Sequence, residues 1–192
     1  MKLNLGCGNR KNEGWVNVDK HKIFKPDVLH DLEKFPYPFE ENSVDEILLS
    51  HVLEHIGQNP NIFINIIKEF YRVCKNGAYI NIYVPHPFHD DFISDPTHVR
   101  PITIGTLQLF DKKLNLEWEE SGAAHTPLAL IHKVNLRLEE IKYDVEKDDI
   151  VIKEWVEKVQ KGQITKKQLD QVLFKYNNLI KQIYFKCKVI KD

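Results

Sequence analysis

Between His86 and His98 the chain places His86, His89, Asp90, Asp91, Asp95 and His98 within thirteen positions, with Arg100 just beyond. Imidazoles titrate near neutral pH and carboxylates are charged there, so such a run can move protons or face a polar ligand. Phe88 and Phe92, interleaved with it, can exclude water. Carboxylates and imidazoles suit a divalent ion, but the spacing matches no recognised ligand motif and no metal ligands are assigned; the plain alternative is a polar lid with a turn at Asp95-Pro96. A second set stands at the amino terminus, where Gly6, Cys7 and Gly8 follow the alternating Leu3 and Leu5, and Asp19 closes the short run WVNVD. Gly6 and Gly8 allow a ligand close to the backbone, and an acid at a strand end can accept both hydroxyls of a ribose. The third glycine of the dinucleotide fingerprint would fall at position 11, which is Lys11, so a nicotinamide cofactor is not expected. In SHVLEHI, His51 follows an apolar run at the edge where ligands meet open α/β sheets. Glu54 reads as the first-turn carboxylate of a helix and His55 as a packed imidazole.

These groups need elements to position them. Lys2 to Leu5, WVNVD and PDVLHDL predict three short strands, the last ending near Asp31. Asp45 to Ser50 is apolar enough for a strand buried on both faces. From Pro60, a stripe of Ile62, Phe63, Ile66, Ile67, Phe70 and Tyr71 predicts a helix stopped by Asn76-Gly77, and AYINIYVP a buried strand ended by Pro85. Strand, helix and strand in that order form a βαβ crossover of a parallel sheet. After the long His/Asp loop come a short helix over Thr103 to Phe110 and a bulged strand in KVNLRLEEIKYDV. A helix over Val151 to Gln160, a break at Gly162 and a capping box at Thr165 and Gln168 predict a helical hairpin running to about Gln182, followed by a period-two strand in IYFKCKVIKD.

A length of 192 residues fits one domain, 1–192, with residues 150–182 as an insertion before the last strand. Lys plus Arg total 27 and Asp plus Glu 28, a net charge of −1 that offers no field for nucleic acid or an acidic membrane. Cys7, Cys74 and Cys187 lack CxxC spacing, which excludes a zinc knuckle or disulfide framework and suggests a reducing compartment. The amino terminus has no secretory apolar core and no stretch approaches the ~20 apolar residues of a membrane span, so the cytoplasm is the expected location. Oligomeric state is left open.

The segments LNLGCGNRKNEGWVNVD, DVLHDLEKFPYPFEENSVDEILLSHVLEHI and EFYRVCKNGAYINIYVP together resemble the class I S-adenosylmethionine-dependent methyltransferases over the first half of the chain. The resemblance implies an α/β, Rossmann-like, seven-stranded and mainly parallel sheet with an antiparallel last strand. It implies S-adenosylmethionine as cofactor, with Gly6, Cys7 and Gly8 beside its methionine part, Asp19 on the ribose, Asp31 facing the adenine amino group, Leu32 beside the ring, and Ser50 and His51 closing the cleft. Residues between Gly8 and Asp19 are fewer than the family norm, so the first helix shrinks to a turn and Asn9 or Arg10 is left to meet the methionine carboxylate. The implied reaction is methyl transfer to a small-molecule acceptor. A base is needed when that acceptor is a hydroxyl, and the catalytic candidates are His98 first, His51 second, and Asp95 of the same loop. Two other classes remain open: a non-catalytic cofactor- or nucleotide-binding module, distinguished by a loop 86–98 turned away from the cleft, and a nucleotide-sugar transferase, which needs a diphosphate or metal site.

Overall fold

The computed structural model describes residues 1–146, 149–173 and 175–191. Its strands are β1 (Lys2–Leu5), β2 (Val16–Asp19), β3 (Val28–Leu29), β4 (Val44–Ser50), β5 (Cys74–Pro85), β6 (Leu136–Val145) and β7 (Ile180–Val189). Its helices are α1 (Pro60–Val73), α2 (Asp90–Ile93), α3 (Ile104–Gln108), α4 (Lys112–Ser121), α5 (Leu128–His132), α6 (Ile150–Gln160) and α7 (Lys166–Leu173). The seven strands form one sheet in the order β3-β2-β1-β4-β5-β7-β6. Neighbours among β1 to β5 pair in parallel, and β7 pairs antiparallel with both β5 and β6. The expected mainly parallel sheet with an antiparallel last strand is therefore present.

Register puts Leu3, Ile47, Ile80 and Cys187 in one row and Leu5, Leu49, Ile82 and Phe185 in the next, all buried. Helix α1 brings Phe63, Ile66, Ile67 and Phe70 into the same core, its start fixed by Pro60 at the first turn and by the Asn59 side chain accepting from Asn61 N–H. Burial of β4 on both faces does not hold, and β5, expected as a buried strand, is buried on one face. The alternate rows Glu46–Tyr79–Lys188 and Leu48–Asn81–Lys186 are half-buried and polar. Asn81 donates to Glu46 Oε1 at 2.8 Å and accepts from the Tyr184 hydroxyl at 2.7 Å. The physical reason lies in the connections: among the described residues the one helical segment between β1 and β4 is a 3-10 turn, Lys22–Phe24.

Several boundaries also move. Helix α1 ends at Val73 instead of running to Asn76-Gly77, because Cys74 already pairs with Val44 and a register shift absorbs the extra residues, Gly77 at φ +82° among them. Strand β3 stops at Leu29, and Asp31 already accepts the turn hydrogen bond from Lys34. The hairpin is shorter than 150–182: α7 ends at Leu173, Phe174 lies outside the described residues, and a turn with Asn178 at φ +65° leads into β7 at Ile180. Its Thr165–Gln168 capping box and the bulge in β6 are both present. Helix α4 was not expected, although its signals were local: Asp111 accepts from the N–H of Lys113 and Leu114, and Gly122 ends it at φ +68°. No helix among the described residues is long and apolar enough to cross a membrane.

Candidate functional site

The carboxyl ends of β1, β2 and β4 open on one cleft of about 520 Å3, a size that suits a cofactor. Its floor is the glycine turn. Gly6 lies at φ +67°, and a Cβ there would come within 2.6 to 2.8 Å of both Val52 methyls, so only glycine lets the chain after β4 close against the turn. With no helix after β1, side chains hold the turn instead. Buried Asn4 donates to the Arg10 carbonyl at 2.8 Å and to Asn17 Oδ1 at 2.9 Å, while Asn17 Nδ2 donates to Asp27 at 2.8 Å. Bonds from Asn17, first its backbone N–H and then its side chain, hold Asp27 below the usual carboxylate range.

Asp19, only 7% exposed, ends β2 on the cleft wall. Its Oδ2 accepts Gly8 N–H at 2.9 Å, and its Oδ1 accepts His21 N–H at 2.8 Å and faces His21 Nδ1 at 3.1 Å, so the carboxylate is locked while Oδ2 keeps a lone pair for a further donor. Asp31, Leu32 and Ile56 line the same cleft, with Phe24 adding apolar surface. Cys7 is buried and outside the lining; burial first, and Asp19 next, push its thiol up. Gly8, Asn9, Arg10 and Ser50 also fall outside the lining, and Gly8 acts through its N–H on Asp19.

His51 follows β4 in the left-handed region at φ +56°, a conformation that costs a non-glycine residue energy and aims its ring into the cleft. Its side chain is 42% exposed, Nδ1 lies 3.4 Å from Glu54 Oε1, and Nε2 lies 3.0 Å from Gln182 Oε1. The Glu54 carboxylate is the main cause of a raised His51 pKa. Glu54 does not serve a helix start as expected: α1 begins at Pro60, and Glu54 sits in a lone 3-10 turn, Leu53–His55, fully buried.

The His/Asp loop reaches this site at its far end. Val99 and Arg100 donate backbone N–H to the Glu54 carbonyl at 2.8 and 3.3 Å, and the Arg100 guanidinium donates to Gly57 O at 2.7 Å. Thr97 lines the cleft beside His55, so the loop is not turned away from it. His98 stacks on Phe92, packs edge-on against His55 with ring centroids 4.5 Å apart, and has a side chain only 7% exposed. It is not among the described residues lining the cleft. Asp95 Oδ1 accepts from the Thr97 hydroxyl and N–H, which hold its carboxyl below the usual range. His86 and His89 accept local backbone N–H groups at the loop's start. Asn4, Asn17, Phe24, Ile56 and Thr97 were not singled out from sequence; the two asparagines at inward strand positions were the available signal.

Residues 8–82 match the family model described as a methyltransferase domain. The match covers the elements from Gly8 to Ile82, less than half of the chain. In structure, the chain is similar to an S-adenosylmethionine-dependent methyltransferase from Archaeoglobus fulgidus, at 19% identity over 97% of this chain and 85% of that one, TM-score 0.61. A Methanosarcina mazei S-adenosylmethionine-dependent methyltransferase aligns at 13% identity, covering 100% and 92% of the two chains, TM-score 0.55. Phosphoethanolamine N-methyltransferase 2 of Haemonchus contortus, solved with S-adenosyl-L-methionine, aligns at 13% identity over 99% of this chain, which spans about half (48%) of that protein, TM-score 0.52. Comparison with curated protein sequences yields no match. At these identities the structural likeness establishes the fold alone.

Proposed function

We propose that the protein is a methyltransferase that binds S-adenosylmethionine in the cleft beside Asp19 and transfers its methyl to a hydroxyl or amine of a small molecule in the cytoplasm, as a single domain. The locked Asp19 carboxylate carries this reading. Oδ2 keeps a lone pair for a ribose hydroxyl, and Oδ1 gains a second hydroxyl when the His21 ring at 3.1 Å turns aside. Asp31 receives the adenine amino group, and Leu32 and Ile56 bracket the ring. The bare backbone of Gly6, Cys7 and Gly8 admits the methionine part, whose carboxylate meets Asn9 or Arg10 at the rim. Ser50 supplies backbone at the end of β4, next to His51.

S-adenosylmethionine supplies an electrophilic methyl carbon on a sulfonium. The protein's task is alignment of an acceptor with that carbon, for which positioning is worth roughly 7–11 kcal/mol. His51, exposed on the cleft wall, takes the proton of a hydroxyl acceptor through Nε2 once the acceptor displaces Gln182 Oε1; the enclosed His98 yields that first rank, and Asp95 serves the loop through Thr97. Thr97 on the cleft wall counts against a non-catalytic module.

Calorimetry with S-adenosylhomocysteine tests the reading. Wild type is expected to bind, and Asp19→Ala to lose about 1–3 kcal/mol while its melting transition remains cooperative. NAD under the same conditions is expected to give no saturable heat. Equal affinity of wild type and Asp19→Ala would remove the assignment.

A further inference from the structure

We propose that Glu54, His55 and His98 form a binding site for a divalent first-row transition-metal ion, whose open positions take an oxygen of the methyl acceptor. The acceptor clause rests on the methyl-transfer reading; the ion site does not. One ligand atom from each of the three residues lies within 4.8 Å of the others. Metal–ligand bonds of about 2.0–2.2 Å place tetrahedral ligands about 3.4 Å apart, so the widest pair closes by up to about 1.4 Å as the side chains turn onto the ion.

Two independent features point to a cation there. Glu54 is fully buried, and neither carboxylate oxygen has a hydrogen-bond partner among the described residues. The approach of His51 Nδ1 to Oε1 at 3.4 Å is an ion-pair distance and does not change that. A buried carboxylate left in this state is costly unless it is paired or coordinates a metal.

The second feature is the orientation of the imidazoles. The Phe92 carbonyl can only accept, so the 2.8 Å contact with His98 Nδ1 fixes the proton on Nδ1 and leaves Nε2 a bare lone pair. The Thr97 hydroxyl donates to Asp95 at 2.6 Å and therefore accepts from His55 Nδ1 at 2.9 Å, which bares His55 Nε2 as well. Metal-binding histidines are typically oriented this way, by an outer acceptor on the second nitrogen. Asp95 Oδ2, 3.8 Å from His98 Nε2, adds negative charge beside the site.

Two imidazoles and one carboxylate favour manganese, iron, cobalt or zinc over magnesium or calcium, which prefer all-oxygen sites. Three protein ligands leave positions open, and His55 belongs to both the triad and the cleft wall.

The test uses the chelator-stripped full chain titrated with Co2+, followed by visible absorption, calorimetry and melting temperature. The expected result is one Co2+ per chain, a raised melting temperature, and no displacement by equimolar Mg2+. Glu54→Gln, His55→Ala and His98→Ala are each expected to weaken Co2+ by more than the ~10–100-fold typical of losing an outer-shell partner. Without metal, Glu54→Gln is expected to keep a cooperative melting transition; if it fails to fold, the two histidine variants carry the test. Wild type that takes up no Co2+, or a folded triad variant that binds as wild type does, overturns the proposal. S-adenosylhomocysteine binding by the metal-free protein separates the two ideas: retained binding without Co2+ uptake overturns the ion site alone, and Co2+ uptake without nucleoside binding overturns the cofactor reading alone.

Discussion

Gly6 and Gly8 both adopt positive φ, yet they answer to different constraints. At Gly8, φ is +49° and an added Cβ meets nothing within 4 Å, so Gly8→Ala carries only the left-handed penalty of about 1–2 kcal/mol. At Gly6, φ is +67° and the same Cβ runs into the Val52 side chain, so Gly6→Ala adds an overpacking cost of roughly 1–3 kcal/mol. Urea unfolding of both variants is expected to place Gly6→Ala clearly below Gly8→Ala. Relief of the clash moves Val52 out of the cleft wall, so S-adenosylhomocysteine affinity falls with it. Equal stabilities would show that the chain after β4 does not press on the turn.

The connection from β1 to β2 shows how an element can be replaced by a network. A helix here would order the glycine turn through its own backbone bonds; Asn4, Asn17 and Asp27 do it with side-chain amides and a carboxylate. Asn17 accepts from Asn4 and from Asn12 N–H at 2.8 Å and donates to Asp27, so its loss leaves several groups unpaired around the buried Asn4. Asn17→Ala is expected to destabilise by about 1–3 kcal/mol and to weaken S-adenosylhomocysteine binding, although Asn17 does not line the cleft. Chemical denaturation and calorimetry on the same samples check it; lost stability with unchanged affinity would separate the network from the site.

The whole molecule is tied together across the long connection between β3 and β4, which carries Asp31 and Leu32. Glu69 of α1 accepts Tyr37 N–H at 2.6 Å, and Arg72 binds Glu69 while donating to the carbonyls of Tyr37 and Phe39. Burial pushes Glu69 up, but the Arg72 guanidinium and the Tyr37 amide outweigh it and leave its pKa below the ordinary value. A carboxylate depressed in the folded state stabilises the fold above its unfolded pKa of about 4.3, and that contribution is lost as pH falls through the folded value. The stability advantage of wild type over Glu69→Gln is therefore expected to shrink on going from about pH 5 to pH 3, as read by denaturation at a series of pH values. A constant difference would show that Glu69 is not the coupled group.

Local pattern determined much of this protein. Alternation at Leu3 and Leu5, the glycines after them, Asp19 and the stripe of α1 specify strand, turn, acid and helix because the side-chain periods of 2 and 3.6 are local properties of the chain. Shortness of the segment from Gly8 to Asp19 predicted the missing first helix, and the missing helix then left the apolar-looking β4 and β5 covered on one face alone, which local hydrophobicity cannot show. Residues separated by dozens of positions were decided by tertiary structure. His98 meets His55 and Glu54 only because the loop after β5 folds back so that Val99 and Arg100 bind the Glu54 carbonyl. The burial of Glu54 and the exposure of His51 likewise follow from what packs around the turn after β4, and a charge's partners are set by distance in space, not along the chain.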